Sequence, residues 1–520
     1  MKIIAAALVL LAWAGTAQAQ SVLTRGNGSE PDSLDPHFVG TLPEENILDD
    51  LMVGLTTLDA AGKPIPGIAQ SWTISPDGLT WTFKLRPASW SDGKPVTADD
   101  FDFAFRRLLE AKTASRYAAN LWFLKNAKGY GTGKVAYQDL GVAVPKPDTL
   151  ILTLEQPAPW LPELLAHPSA APVPRHVVEA KGAAWARPGA YVSDGPYLLK
   201  DWVPNDHITL TKNPRFYDAA KVAIDTVLYL PTSDADAALR RFRNGELDMQ
   251  SPAPASQMAW LKANMPGVLR VTPSLALDYI AINVSDPALK DARVRRAINL
   301  AYDREAITEK VLKRGEPPAY SYVPPGAQNY AGGPAMDFRG QPIAARIAAA
   351  QKLMQEAGYG PFQRLKLNFE TTGNSDYRRL AVVLQAMLKA IYIDISIQTA
   401  DLPIHLRNLR LHQYQLGSAN WYADFNDASN FLDLLRSDSG NNYAGYRNPL
   451  FDVALGAAEK EPDAAKRRPA LMAAESLALR DYPWVPLRYP VQTDLVSARV
   501  QGWTQNAPDL HLSRWLSVRK

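Results

Sequence analysis

Cysteine is missing altogether from this chain of 520 residues. Its absence excludes structural disulfides, thiolate metal sites, a cysteine nucleophile and a lipid-modified cysteine anchor. Histidine is scarce: His37, His167, His176, His207, His405, His412 and His511 are the whole set. None stands in an H-E-x-x-H motif or at the i, i+4 spacing that puts two metal ligands on one helix turn. His405 and His412 come nearest to sharing a helix face, but two helical turns would hold them about 10 Å apart. That is too far for one metal, so surface or capping roles are expected and no metal site. There is no G-x-S-x-G elbow, no phosphate loop and no G-x-G-x-x-G after a strand, which removes the handles for hydrolase, kinase or dehydrogenase chemistry. The chain reads as a non-enzyme with no cofactor. Excess charge of one sign is missing too: the net charge is +3, with Lys and Arg scattered, so there is no electrostatic footprint for nucleic acid.

Long apolar runs are also lacking. The longest lies at the start, where Lys2 precedes the apolar stretch Ile3 to Ala14 and Ala17-Gln18-Ala19 precedes Gln20. That stretch falls short of the roughly 20 residues that span a bilayer, and the A-x-A pattern reads as a cleavable secretory signal over residues 1–19. The alternative is an uncleaved anchor. With no cysteine to carry a lipid, a free periplasmic protein that does not insert into a membrane is expected.

What is present is the composition of a soluble globular protein, 47% apolar and 21% charged. The length exceeds one ordinary core, so two or three packed units are expected. No Gly/Ser linker or repeat divides the chain, which implies interleaved rather than tethered units. Alternation over Leu79 to Arg86 and at Ile391, Ile393, Ile395 and Ile397 predicts half-buried strands. Thr97 with Asp100 predicts a capped helix start that carries Phe101, Phe105, Leu108 and Leu109 on one face, and Gly358 predicts the end of a helix begun near Ala344. The Asp99-Asp100 pair fits that helix start, where the dipole favours negative charge, better than acid/base chemistry. The fold class is mixed α/β.

One segment concentrates aromatics around an acid: Trp421-Tyr422-Ala423-Asp424-Phe425-Asn426-Asp427, followed by Asn430-Phe431-Leu432. A carboxylate between large rings is partly desolvated and requires a cationic partner. Two readings stay open on this ground alone: an internal Arg or Lys pairs with Asp424, or a ligand ammonium does.

A full-length pattern surrounds this segment. Glu30-Pro31-Asp32-Ser33-Leu34-Asp35-Pro36, Pro66-Gly67-Ile68-Ala69, Trp81 to Arg86, Trp90-Ser91-Asp92-Gly93-Lys94-Pro95-Val96-Thr97-Ala98-Asp99-Asp100-Phe101, Asp194-Gly195-Pro196-Tyr197, Asn213-Pro214-Arg215-Phe216-Tyr217, Asp291 to Ala297 and Ser437 to Asn442 occur in order. In these motifs the chain resembles the periplasmic oligopeptide-binding proteins of ABC importers. The resemblance implies a two-lobed periplasmic-binding-protein fold with an additional inserted α/β domain: residues 20–52, 173–275 and 489–520 in lobe I, 53–172 in the insert, 276–488 in lobe II. It implies an oligopeptide ligand, an inner-membrane ABC permease as partner and a monomer. It also implies that Asp424 pairs with the peptide ammonium beside Trp421, Tyr422 and Asn420, that nearby backbone extends the peptide like an added strand, and that Leu42 and Tyr279 line the cleft.

Two departures qualify it. Relatives commonly carry a cysteine where Tyr422 stands and a second near Ala276, so a crosslink is lost as a unit. Well-studied relatives also carry an Arg where this chain has Ser418, and the other positions aligned to hold a peptide carboxylate are Leu312 and Tyr377, or Lys313 and Arg378 after a one-residue gap. The alternatives are the same scaffold tuned to another solute (a murein peptide, an opine, a glycan, or a nickel or haem complex) and, from another class, a periplasmic enzyme or chaperone.

Overall fold

A computed structural model describes residues 20–519 except positions 40, 116 and 374; the segment 1–19, expected to be a secretory signal, lies outside the described residues. Three sheets organise the chain. A seven-stranded sheet runs in the order Leu269–Pro273, Val491–Val496, Met249–Gln250, Val22–Gly26, Thr226–Leu230, His207–Lys212, Tyr197–Val203. A five-stranded sheet runs Ile393–Ala400, Leu365–Thr372, Leu416–Tyr422, Ala276–Ile282, Trp484–Arg488. The third is a four-stranded antiparallel sheet built from Ala69–Ile74, Thr80–Leu85, Thr149–Thr153 and Val142–Lys146.

The apolar residues divide accordingly. One core draws only on residues between Leu277 and Tyr489. A second joins Leu23 through Met249 to Val496, Val500 and Leu516. The chain passes between these two bodies through short joints. Ser274 and Leu275 alone separate the strands Leu269–Pro273 and Ala276–Ile282, and Tyr489 and Pro490 alone separate Trp484–Arg488 from Val491–Val496.

Local structure follows the sequence signals at several points. The helix Ala98–Leu109 starts on Thr97, whose N–H donates to Asp100 Oδ2 at 2.9 Å, and it buries Phe101, Ala104, Phe105 and Leu108. Gly358 follows the helix Ile343–Glu356 with φ +90°, a conformation that costs glycine little.

Two buried ionisable side chains tie the Leu277–Tyr489 body together. Arg304, 0% exposed, donates from Nε to the Ala319 and Pro486 carbonyls and from Nη1 to those of Asn299 and Tyr302. Glu475, also fully buried, accepts from the Tyr322 and Val323 N–H groups at 2.7 and 2.9 Å and from the Tyr330 hydroxyl at 2.6 Å.

Burial pushes the Glu475 carboxyl up to about 7, against those hydrogen bonds. The folded state therefore holds a proton that the unfolded chain releases near its ordinary value of 4.5. The associated stability, about 3 kcal/mol, is complete below that value and lost as pH rises through 7. Thermal melts of the wild type and Glu475→Gln between pH 4.5 and 8 test this. The variant is expected to lose part of the downward slope, and parallel curves would refute the assignment.

Candidate functional site

Between the two bodies lies a cavity of about 210 Å³. Its floor is the turn that follows the strand Leu416–Tyr422 and carries Tyr422, Ala423, Asp424, Phe425 and Asn426. The turn is held by Asn430, whose Oδ1 accepts from the Trp421 ring N–H at 2.7 Å and from the Asp424 backbone N–H at 3.3 Å. Asp427 is locked on buried Arg467. Asp424 differs from it: among the described residues no lysine or arginine pairs with its carboxylate. Its tip reaches into the open cleft, yet burial among the surrounding walls raises the carboxyl above its ordinary value, opposed by Asn430 and His167.

The opposite walls come from distant parts of the chain. Leu42, Glu45 and Asp49 recur at helical intervals along Leu42–Leu51 and so share the face turned to the cavity. Glu163 and His167 come from the segment after Trp160, and Pro508, Asp509 and Leu510 from the C-terminal segment. Trp160 stacks on Phe425 across the boundary, ring centres 4.3 Å apart. The wall is acidic: Glu45, Asp49, Glu163, Asp424 and Asp509 line it, and among the described residues no Lys or Arg does. Burial raises Asp49 well above the carboxylate range, helped by Glu45 and Asp50, and pushes Glu163 up to about 7. Glu45, although burial opposes it, is held below its ordinary value by His167 and by the Tyr117 hydroxyl at 2.8 Å.

Beside this cavity the strand Leu416–Tyr422 has, among the described residues, an edge open beyond Ser418, whose carbonyl is taken by His405 Nε2 at 2.7 Å. The strand pairs with Ala276–Ile282 along its whole length, but on its other side Leu365–Thr372 accompanies it only at Leu416 and Gly417 and then diverges. A second cavity of about 570 Å³ fills the split, lined among others by Thr372, Tyr377, His405, Arg410, Ser418, Asn420 and Trp421. Gly417 lets the helix Leu402–Arg410 sit tightly on the strand, because a Cβ there would meet Leu409 Cδ2 at 2.6 Å.

The expected site residues divide into three groups. Asp424, Tyr422 and Leu42 line the first cavity; Ser418, Asn420 and Trp421 line the second. Tyr279 lines neither and is corrected: it is 1% exposed and stacks on Trp484 with ring centres 4.1 Å apart, inside the core. His405 is corrected as well. It is buried rather than superficial, with Nδ1 2.7 Å from Glu370 Oε1 and Nε2 2.7 Å from the Ser418 carbonyl. His412 lies beyond the end of that helix.

Leu312, Lys313 and Arg378 line neither cavity, whereas Arg410, which carries no motif signal, is the one Lys or Arg among the described residues lining the second. Ala276 and Tyr422, the positions of the lost crosslink, are direct partners across the antiparallel pair. Strand hydrogen bonds already fix that spacing.

The sequence profile of the bacterial extracellular solute-binding proteins, family 5, middle part, matches residues 63–443. The periplasmic oligopeptide-binding protein OppA of Escherichia coli is 36% identical over 501 residues, which are 95% of this chain and 91% of its own length. Among solved structures, the murein tripeptide binding protein MppA in its unliganded open form superposes with a TM-score of 0.90 at 31% identity, covering 96% of this chain and 98% of that one. Haemophilus influenzae OppA in complex with the peptide RPPGFSPFR gives 0.75 at 34% identity over 96% and 99%. The higher score with the lower identity belongs to the open form, so the two bodies stand here in an open arrangement.

Proposed function

The chain belongs to the bacterial extracellular solute-binding proteins of family 5, and from that premise we propose that it captures oligopeptides in the periplasm and passes them to an ABC importer without turning them over. The observation that carries this reading is Asp424: a partly desolvated carboxylate at the floor of the interbody cavity, with no Lys or Arg on it. A peptide ammonium is the cation it lacks. The open edge of Leu416–Tyr422 then offers backbone groups to a peptide laid alongside as a further strand, which explains how ligands with many side chains can be accepted. The far carboxylate, deprived of a partner at Ser418, goes to Arg410 in the neighbouring cavity. The protein acts as a monomer, serves an inner-membrane permease, and is released from its signal segment before Gln20. No helix among the described residues is long and apolar enough to cross a membrane.

The acidic wall narrows the ligand class. Glu45, held ionised by His167 and Tyr117, offers a cationic side chain a carboxylate, and the raised carboxyls of Asp49 and Glu163 give up their protons more readily with a cation beside them, whereas an anionic side chain meets no Lys or Arg among the described lining residues. Peptides with Lys or Arg in the first positions are therefore favoured. The relative bound to RPPGFSPFR holds a peptide that begins with arginine.

Calorimetric titration with Lys-first, Glu-first and N-acetylated versions of one tripeptide tests both points. The Lys-first peptide is expected to bind at least about tenfold more tightly than the Glu-first one, about 1.4 kcal/mol, and the acetylated peptide weakly. Equal affinity for the acetylated and free forms would remove the ammonium from the mechanism.

A further inference from the structure

On the wall of the same cleft, the C-terminal segment folds against the strand Val491–Val496 and gathers three groups, of which only Asp509 also faces the peptide cavity. Asp494, Asp509 and His511 each bring one ligand atom, two carboxylate oxygens and one imidazole nitrogen, to within 4.8 Å of one another. Their placement is enforced. Asp509 takes φ +57° in a turn closed by Asn506, whose Oδ1 accepts from the Leu510 N–H at 3.0 Å and whose Nδ2 donates to the Leu510 carbonyl at 2.9 Å. The His511 ring stacks on Trp503 with centres 4.7 Å apart, which turns Nε2 to within 3.2 Å of Asp509 Oδ1.

A second observation points to a missing ligand. Asp494 Oδ2 and Gln250 Oε1 are buried and have no hydrogen-bond partner among the described residues, in side chains 4% and 2% exposed. Both residues line one cavity of about 180 Å³ together with Asp509 and His511. An acceptor left unpaired in the interior is destabilising, and two in residues lining one cavity call for a donor or a cation there. The guanidinium nearest to hand is already engaged: Arg25 Nη1 donates to the His511 carbonyl at 2.9 Å, Ser513 Oγ at 3.0 Å and the Tyr229 hydroxyl at 3.4 Å.

We propose that Asp494, Asp509 and His511 form a binding site for one divalent transition-metal ion of the zinc type. A set of one imidazole and two carboxylates suits such an ion better than calcium or magnesium, which take oxygen ligands alone, and it leaves coordination positions open. Gln250 Oε1 lies in reach of the same cavity as a further neutral oxygen. Asp509 lines both this cavity and the one at Asp424, so an ion held here occupies the boundary of the ligand cleft.

The test uses the mature protein, stripped with chelator and free of any histidine tag. Calorimetric titration with Zn2+ is expected to give one saturable site per chain, with Mg2+ and Ca2+ giving none, and Co2+ is expected to produce visible absorption bands of nitrogen and oxygen coordination. Both signals should be lost in Asp494→Asn and in Asp509→Asn, two variants of similar shape, with circular dichroism unchanged. They should survive Asp424→Ala, which separates this site from the peptide anchor. Absence of saturable Zn2+ binding, or binding that persists unaltered in both variants, would overturn the proposal.

Discussion

Replacing Asp424 with alanine is expected to weaken binding of a free-amine peptide by about 3–5 kcal/mol, while the N-acetylated peptide changes little. The size follows from burial. In the open arrangement the carboxylate is wet at its tip, yet already raised by the protein around it. Closure onto a ligand excludes the remaining water and leaves the ammonium with no comparable acceptor on the floor of the cavity. Asp427 cannot substitute, since Arg467 holds it. Asp424→Asn keeps the shape and removes the charge, so it should fall near the alanine variant. A cycle of two proteins and two peptides, read by calorimetry, isolates the coupling between carboxylate and ammonium. A coupling near zero would assign the affinity to the strand edge and the acidic wall instead.

Arg304→Leu is expected to destabilise the Leu277–Tyr489 body by about 3–5 kcal/mol. The guanidinium is completely buried and, among the described residues, faces no carboxylate at hydrogen-bonding distance; its donors go to five oxygens, four backbone carbonyls and Asn299 Oδ1 at 3.2 Å, and to Met336 Sδ at 3.8 Å. Burial lowers it to about 10, which leaves it charged at neutral pH. A leucine fills much of the space and satisfies none of the acceptors. Because Ala319, Pro486 and Asn299 belong to a loop, a strand and a helix, their packing loosens together. Differential scanning calorimetry should show the transition of this body moved to lower temperature, and Arg304→Lys should recover only part of the loss, since one ammonium cannot reach all five acceptors. An unshifted transition would mean that water enters to satisfy the carbonyls.

The elements that could be read from the chain are those whose signal is local. Thr97 and Asp100 declare a helix start within four residues, and the rings around Asp424 lie within one segment, so both were legible. Tyr279 can be set in the cleft only by the resemblance, with a core place equally open, for a definite reason: all seven residues of Ala276–Ile282 are buried, and a strand covered on both faces carries no alternation to tell cleft from core. His405 escaped because its partners, Glu370 and Ser418, lie on strands that only the fold brings to its helix. The acidic wall is the extreme case. Glu45, Asp49, Glu163 and Asp509 are ordinary surface acids in the sequence, and they acquire a common purpose only where a helix, a turn and the C-terminal segment meet.

The brevity of the joints at Ser274-Leu275 and Tyr489-Pro490 bears on kinetics. The anchor Asp424 and the open strand edge belong to one body, whereas most of the acidic wall belongs to the other. On the reading proposed above, a ligand meets a half-built site, and the second half is expected to reach it by rotation of a body. The association rate is then expected to follow docking to the first body, and the residence time how seldom the second swings away. Two short strand-to-strand joints restrict that swing to a bend, so the wall returns in register with the anchor at each closure. A longer tether at either joint would leave every contact residue in place and still shorten the time a peptide stays, because the closed state would be a smaller share of the arrangements available.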